Sequence, residues 1–246
     1  MARNVVISGG GTGIGLAAAH AFVADGDQVL LLGRRREVLE KAGVPGALTY
    51  AGDLSDPEVV RGVARFVAEE FGTVDVLVHS AGGNGTLEPR SAGGDALDAV
   101  AHDWTVNFRI NTLSAALLTE ALKPRLAEPG GRVLFVSSLA AYRGSGSGAY
   151  GAAKAALHPY AHDLARDLGP RGITVNVVAP GYIEDTEFFG PEIGEARREQ
   201  KIRETLTGRA GTPGDVAGTL HWLASPAAGH ITSQVIQVNG GTERGR

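Results

Sequence analysis

The chain has 246 residues, and 23 Lys and Arg against 27 Asp and Glu give it a formal charge of −4. It contains no cysteine, which excludes disulfide scaffolds, cysteine-ligated metals and thiol catalysis. Its 43% hydrophobic residues exclude a disordered chain, and no apolar run approaches the roughly 20 residues that span a bilayer. These values predict one cytoplasmic domain over residues 1–246, with no membrane, nucleic-acid or metal ligand and a small-molecule partner.

Short apolar runs recur along the chain and predict β-strands. They are rich in Val, Leu and Ile and lack polar alternation, as is typical of strands buried on both faces of a parallel sheet. The predicted strands are residues 4–7, 29–32, 48–50, 74–78, 132–135, 173–178 and 235–238.

Helix-like stretches lie between these runs, at residues 15–24, 37–42, 57–71, 103–126, 149–168, 196–206 and 215–224. We interpret residues 55–58 as a capping box for the third of them. Because strand and helix alternate to the end of the chain, the pattern predicts an α/β fold with a doubly wound parallel sheet. Ligands of such folds bind at the carboxyl ends of the strands.

The first strand runs into a glycine-rich turn that opens the first helix. Its candidate cofactor-binding residues are Gly9, Gly11, Thr12, Gly13, Ile14 and Gly15. The missing Cβ atoms let backbone N–H groups approach a pyrophosphate, whose charge the helix N-terminus also favours. This position between strand and helix favours a dinucleotide site over a purely structural turn.

The second strand ends in three consecutive cations, Arg34, Arg35 and Arg36, without the acid that NAD-binding folds place there. The dipole of a helix disfavours cations at its start, and a 2′-phosphate would relieve that conflict. Because Arg34 can pair a phosphate bidentately, with Arg35 beside it, the pattern favours NADP(H) over NAD(H). A solvated run of arginines is the alternative.

Two further turns carry candidate cofactor contacts. After the third strand, the Asp53 carboxylate and the Leu54 N–H can bond the adenine edge, although Asp53 is equally consistent with an ordinary loop acid. After the fourth strand, the small residues Ser80, Ala81 and Gly82 let a cofactor pass close to the backbone.

The fifth strand ends in Ser137 and Ser138, and Tyr150 and Lys154 follow at helical spacing. Residues four apart lie on one face of a helix, and a nearby ammonium lowers the pKa of a tyrosine, as an acid/base catalyst requires. A serine hydroxyl beside the phenol can hold a carbonyl oxygen. The group predicts hydride-transfer chemistry, with an ordinary surface Tyr–Lys pair as the alternative.

In this order the motifs resemble the short-chain dehydrogenase/reductase family over nearly the whole chain. The resemblance is also carried by Asn111, by the run Asn176-Val177-Val178-Ala179-Pro180-Gly181 and by the terminal run Val238-Asn239-Gly240-Gly241. It implies a Rossmann-type sheet of about seven strands, NAD(P)-dependent interconversion of a carbonyl and a secondary alcohol, and a homotetramer or homodimer.

By position, the resemblance implies that Tyr150 is the catalytic acid/base and that Lys154 lowers its pKa and binds the nicotinamide ribose. Ser138 would orient the substrate, with Ser137 as the weaker candidate. Asn111 would support a water relay to the lysine.

The resemblance also places Pro180, Gly181 and Ile183 beside the nicotinamide, where Ile183 would present its backbone to the carboxamide. The threonine expected four residues after Gly181 is Asp185, so Thr186 is the candidate for that contact.

Two other positions depart from the family pattern. Ser80 stands where asparagine is usual, so one hydrogen bond that supports the strands is expected to differ. Ser233 stands where glycine is usual.

Substrate choice is predicted to lie in residues 143–148 and in a substrate loop at residues 182–211. The aromatic residues of this loop either line an apolar pocket or fill the lid, and its cations form either a solvated face or a patch for an acidic substrate. These residues are Phe188, Phe189, Arg197, Arg198, Lys201 and Arg203.

The sequence therefore predicts an NADP(H)-dependent ketoreductase, with 3-oxoacyl thioesters as one substrate class and acyl carrier protein as a candidate partner. One basic residue of acyl-carrier reductases is replaced here by residues 128–130, which argues against that partner. Arg171 matches a second basic position of those reductases, which argues for it. The alternatives are an alcohol dehydrogenase acting on a sugar, steroid or other small alcohol, and a non-catalytic protein that senses NADPH.

Overall fold

The computed structural model describes residues 2–87, 94–144, 146–189 and 193–244. Within them, parallel strands form one seven-stranded sheet in the order β3-β2-β1-β4-β5-β6-β7. The strands are β1 (Asn4–Ser8), β2 (Gln28–Gly33), β3 (Leu48–Ala51), β4 (Val76–His79), β5 (Arg132–Val136), β6 (Thr174–Pro180) and β7 (Val235–Val238). Each overlaps a predicted strand, so the predicted doubly wound α/β fold is confirmed.

The helices lie on both faces of the sheet. They are α1 (Gly13–Ala24), α2 (Arg36–Glu40), α3 (Pro57–Glu70), α4 (Ala96–Phe108), α5 (Ser114–Leu122), α6 (Ala140–Arg143), α7 (Gly148–Ala155), α8 (Leu157–Leu168), α9 (Glu195–Arg203) and α10 (Pro213–Leu223). None of the described helices is long and apolar enough to cross a membrane.

Alternate residues of the central strands enter two separate cores, as the two-residue period of a strand requires. Val6 and Leu77 face the side covered by α3, α5 and α8, whereas Val5 and Ile7 face the side covered by α1 and α10. All four side chains are fully buried, which explains why these strands show no polar alternation in the sequence.

The helix predicted at residues 103–126 starts earlier, at Ala96, and a π-helical turn (Arg109–Leu113) separates α4 from α5. Two side-chain amides explain the interruption. Asn107 donates to the Asp103 carbonyl and Asn111 donates to the Asn107 carbonyl, at 2.8 and 2.9 Å. Side chains that bond carbonyls four residues back compete with the regular backbone ladder and favour such turns.

Two other helix predictions are corrected. The helix predicted at 149–168 is divided at Ala156, three residues before Pro159, which lacks an N–H and disfavours a continuous helix. The capping box predicted at 55–58 is wrong, because Asp56 itself is the N-cap of α3 and accepts a bond from the Glu58 N–H at 2.8 Å.

Candidate active site

A cleft of about 1040 Å³ opens at the carboxyl ends of the strands. This is where doubly wound sheets bind ligands, and its volume is at the upper end of the range for small-molecule sites. All of the predicted site residues line this cleft except Gly15 and Asn111, which lie behind its wall.

The turn after β1 fits tightly against the turn after β4. Gly9 has a left-handed φ of 69°, and a Cβ on it would lie 2.7 Å from the Ala81 nitrogen. A Cβ on Gly15 would lie 2.2 Å from the Gly9 carbonyl oxygen, so Gly15 lets α1 approach the turn and does not line the cleft. The N-cap of α1, Thr12, makes no side-chain cap bond, so its hydroxyl does not compete with an anion for the first N–H groups.

Arg34 and Arg35 are both exposed and line the cleft at the end of β2. The Arg35 guanidinium donates to the Glu187 carboxylate at 2.6 Å, and this bond raises the pKa of Arg35. Asp53 accepts bonds from the Ser55 N–H and hydroxyl, at 2.9 and 2.7 Å. Although burial opposes it, these bonds help to lower the pKa of Asp53, so the side chain is already engaged as a loop acid.

The turn after β4 is held from behind by Asn111, which is 1% exposed. Its Nδ2 donates to the Gly83 carbonyl at 2.9 Å, and its Oδ1 accepts from the Gly83 N–H at 3.0 Å. A Cβ on Gly82 would lie 2.4 Å from that Oδ1, so only glycine fits there. The Asn111 side chain therefore supports the cleft wall.

The structure separates the two serines at the end of β5. Both line the cleft, and the Ser138 side chain acts on Tyr150 to lower the pKa of its phenol. The Ser137 hydroxyl is directed away, donating to the Lys154 carbonyl at 3.0 Å and lying 2.8 Å from His158 Nε2. Ser138 is therefore the serine placed with Tyr150.

Tyr150 and Lys154 lie one turn apart on α7, as predicted, and both are buried. Burial raises the pKa of Tyr150 to about 12, against the opposite effect of Ser138. The Lys154 ammonium donates to the Val136 carbonyl at 2.9 Å, and burial lowers its pKa to about 8. Desolvation of the phenol thus dominates its pKa in this structure, and the lowering of that pKa by Lys154 stays a prediction.

The segment after β6 is fixed along the cleft floor by backbone bonds. The Pro180 carbonyl accepts from the Leu139 N–H at 2.8 Å, and the Gly181 N–H donates to the Val238 carbonyl at 2.9 Å. Ile183 is buried and forms an isolated parallel bridge with Gly211.

Asp185 has a left-handed φ of 55°, a conformation that few non-glycine residues adopt. The chain then turns so that Thr186 lies over the glycine-rich turn, where a Cβ on Gly13 would be 3.4 Å from Thr186 Cγ2. The one-residue displacement of the expected threonine therefore still leaves Thr186 beside that turn.

Ser233, which also departs from the family pattern, has a left-handed φ of 61°. Its hydroxyl lies 2.6 Å from His162 Nδ1 on α8. A serine is thus held here in a backbone conformation that favours glycine.

The substrate loop brings an aromatic ring onto the site. The ring of Phe188 lies 5.0 Å from that of Tyr150, centroid to centroid, and so covers the phenol. The Phe189 side chain lies outside the described residues. Of the cations on α9, Arg197 and Lys201 line the cleft, whereas Arg198 and Arg203 pair with Glu184 and Glu199.

Sequence reasoning missed several residues of this region. His79, the last residue of β4, stacks on Phe135 and lies 2.8 Å from Thr119 Oγ1, and burial lowers its pKa to about 3. Val100 and Trp104 of α4 are about half exposed and line the cleft. Their spacing of four residues in an apolar stripe was the available signal.

At the departure from the family pattern after β4, Ser80 donates its N–H to the Ser8 carbonyl at 3.1 Å. The next residue, Ala81, donates its N–H to Ser8 Oγ at 3.1 Å. The Ser8 hydroxyl thus joins the ends of β1 and β4, which no motif indicated.

Known proteins match the chain over almost its full length. Residues 9–243 match the sequence model of a family described as enoyl-(acyl carrier protein) reductase. The 3-oxoacyl-(acyl-carrier-protein) reductase FabG of Vibrio cholerae is 31% identical over 249 aligned residues, covering 97% of this chain and 96% of that protein.

Two solved structures have the same fold over the same extent. A short-chain dehydrogenase/reductase from Brucella melitensis, described as a glucose/ribitol dehydrogenase, has a TM-score of 0.86 at 34% identity, covering 98% of this chain and 97% of that one. A short-chain dehydrogenase from Burkholderia cenocepacia, in complex with NADP, has a TM-score of 0.83 at 31% identity and the same two coverages.

Proposed function

The chain belongs to the short-chain dehydrogenase/reductase family, and from this premise we propose that it is an NADP(H)-dependent oxidoreductase that interconverts a carbonyl group and a secondary alcohol. One observation carries the proposal. Ser138 and Tyr150 line the same cleft, with Lys154 one helical turn away from Tyr150. This is the set of groups that acid/base chemistry at a carbonyl oxygen requires.

The residues present fit a dinucleotide. The close approach of Gly9 to Ala81 and the uncapped start of α1 leave a cradle for a pyrophosphate, and the exposed Arg34 and Arg35 fit a 2′-phosphate. When bound, NADPH supplies the hydride for reduction, and NADP⁺ accepts it in oxidation. The NADP complex of the Burkholderia cenocepacia relative supports the choice of phosphate form.

Tyr150 can supply the proton that a carbonyl oxygen takes up in reduction. With a pKa near 12 the phenol is protonated at neutral pH, so it can donate its proton to a carbonyl oxygen as that oxygen gains charge. Ser138 would hold the same oxygen by a second hydrogen bond. Lys154, with a pKa near 8, is an ammonium at neutral pH and stabilises negative charge on the phenol after the transfer.

The substrate is a small carbonyl compound or alcohol in this proposal, with 3-oxoacyl thioesters as one class because of the similarity to FabG. At the basic position that matches acyl-carrier reductases, Arg171 is paired with Glu128, its Nε donating at 2.7 Å. A sugar or steroid alcohol remains the alternative substrate. The NADPH-sensor alternative is weakened by the retention of Ser138, Tyr150 and Lys154.

We also propose that copies of the chain assemble through α4. Its exposed apolar side chains recur at helical spacing, a pattern that marks interaction surfaces. They are Leu97, Val100, Trp104 and Phe108. A homotetramer or homodimer, like the cytoplasmic location, stays a prediction.

The proposal is tested by titrating the protein with NADPH and NADH and following nicotinamide fluorescence. A panel of 3-oxoacyl thioesters, ketones and sugars is then assayed at the absorbance of reduced nicotinamide. We expect selective binding of NADPH and turnover of at least one carbonyl. Binding without turnover across the panel would favour the sensor, and no binding would refute the cofactor.

A further inference from the structure

Three consecutive residues of the substrate loop contact three different parts of the cleft. Thr186 lies over the glycine-rich turn at Gly13, Glu187 pairs with Arg35 at the end of β2, and Phe188 lies on Tyr150. We call residues 186–188 the strap. The strap therefore spans the cleft from the candidate 2′-phosphate site to the candidate catalytic tyrosine.

The ion pair between Glu187 and Arg35 fixes the strap at the candidate 2′-phosphate site. Its N–O distance is 2.6 Å, and it joins residues 152 positions apart in the chain. Both side chains are more than half exposed, so the pair is in reach of a ligand that enters from solvent. Exposed ion pairs contribute little energy, and a competing anion can replace one of the partners.

A 2′-phosphate held by Arg34 and Arg35 would compete with the Glu187 carboxylate for the Arg35 guanidinium. Arg35 cannot offer its Nη2 to a phosphate while that nitrogen is paired with Glu187, and the two anions repel each other at short range. NADH carries a 2′-hydroxyl there and has no charge to compete with the carboxylate. Glu187 is therefore an obstacle to one form of the cofactor only.

Resting on the NADP(H) dependence proposed above, we propose that Glu187 sets cofactor selectivity by competing with the 2′-phosphate for Arg35, and that its displacement frees the strap from Tyr150. The neighbouring residue Phe188 holds the other end of the strap against the phenol. A ligand that takes Arg35 from Glu187 thereby loosens the cover over Tyr150. Binding of NADPH therefore exposes Tyr150 to the substrate, whereas binding of NADH leaves Tyr150 covered by Phe188.

The first test measures binding of NADPH and NADH to the unmodified protein, Glu187→Gln and Glu199→Gln. Glu199 is the matched control, because it also pairs with an exposed arginine, Arg203, but neither of these two side chains lines the cleft. We expect Glu187→Gln to tighten NADPH about three- to fivefold, the range of an exposed ion pair, with NADH unchanged. Glu199→Gln should change neither.

Two results overturn the inference in distinguishable ways. If the unmodified protein prefers NADPH but Glu187→Gln binds it equally or more weakly, Glu187 does not compete and only this inference fails. If the unmodified protein shows no preference for NADPH, the proposed cofactor fails and the inference falls with it.

The second test follows the strap with two fragments that lack nicotinamide, adenosine 2′,5′-bisphosphate and 5′-AMP. Trypsin cleavage at the basic residues of α9 reports how firmly the loop is held. We expect the bisphosphate to accelerate cleavage of the unmodified protein and 5′-AMP to leave it unchanged. Glu187→Gln should be cleaved rapidly without either, and bisphosphate that slows cleavage or leaves it unchanged refutes the release of the strap.

Discussion

The ring of Phe188 lies against the ring of Tyr150 at 5.0 Å between centroids, with the two planes inclined by 53°. Burial is the main reason for the high pKa of Tyr150, and the Phe188 ring packs against the phenol. We expect Phe188→Ala to admit water and lower this pKa in the protein without nucleotide, as measured by absorbance titration of the phenolate with Tyr150→Phe as the blank. Phe188→Leu keeps an apolar cover and should lower the pKa less. A pKa unchanged in both variants would show that Phe188 does not control the phenol.

The hydroxyl of Tyr150 is expected to carry the proton transfer. Tyr150→Phe removes that hydroxyl and keeps the ring, so turnover should fall by about 10²- to 10⁴-fold while NADPH binding is preserved. Tyr160→Phe is the matched control, since Tyr160 lies on α8 and bonds Glu120 outside the cleft. The measurement is the initial rate together with nicotinamide fluorescence. A reductase rate that survives in Tyr150→Phe would refute the mechanism.

The cofactor's 2′-phosphate is expected to contact Arg34. A charge-assisted hydrogen bond contributes about 1.5 to 3 kcal/mol, so Arg34→Ala should weaken NADPH binding about 10- to 100-fold and NADH binding little. Arg36→Ala is the control, because Arg36 starts α2 and does not line the cleft. The measurement is titration of the unmodified protein, Arg34→Ala and Arg36→Ala with NADPH and with NADH. Equal losses of affinity for the two nucleotides in Arg34→Ala would refute the assignment.

Much of this site follows from the sequence because its chemistry is local. The glycine turn, the Tyr150–Lys154 spacing and the serines after β5 each lie within a few residues, and the parallel sheet brings strand ends to one edge. The sequence also contains the two residues that accompany the interruption of the helix predicted at 103–126. Asn107 and Asn111 lie four apart, and their amides bond the carbonyls of the preceding turn.

The rest depends on contacts between distant parts of the chain. No local pattern pairs Glu187 with Arg35, and none shows Phe188 on Tyr150. The spacing of Tyr150 and Lys154 shows that an ammonium is near, whereas the desolvation that raises the pKa of the phenol depends on everything packed around it.

Burial of His79 makes the fold sensitive to acid. Its pKa is lowered to about 3, whereas in the unfolded chain it is about 6.5, so the unfolded state binds the proton first as pH falls. Because of His79, the free energy of unfolding should be about 2 kcal/mol lower at pH 5 than at pH 7. In His79→Asn, denaturant unfolding at both pH values should show a smaller difference by that amount. An identical pH dependence in the two proteins would mean that His79 is not the titrating group.

The buried Lys154 side chain is expected to lower the stability of the fold. The pKa of Lys154 is about 8 in the folded protein and 10.5 in the unfolded chain. Below pH 8, folding must therefore bury a charged ammonium, which lowers the free energy of unfolding. This loss of stability disappears as the pH rises from 8 to 10.5. We expect Lys154→Met to raise the free energy of unfolding at pH 7 by about 2 kcal/mol, less at pH 10, because the bond to the Val136 carbonyl offsets part of the gain.

Turnover should be lost in the same variant, since no cation then stabilises the phenolate. Lys123→Met provides the control, because Lys123 is only partly buried and is paired with Glu120, so it should give no such gain. Denaturant unfolding at pH 7 and pH 10 is the measurement. If Lys154→Met is less stable at both pH values, the surrounding groups already compensate the buried ammonium, and its low pKa then carries no cost to the fold.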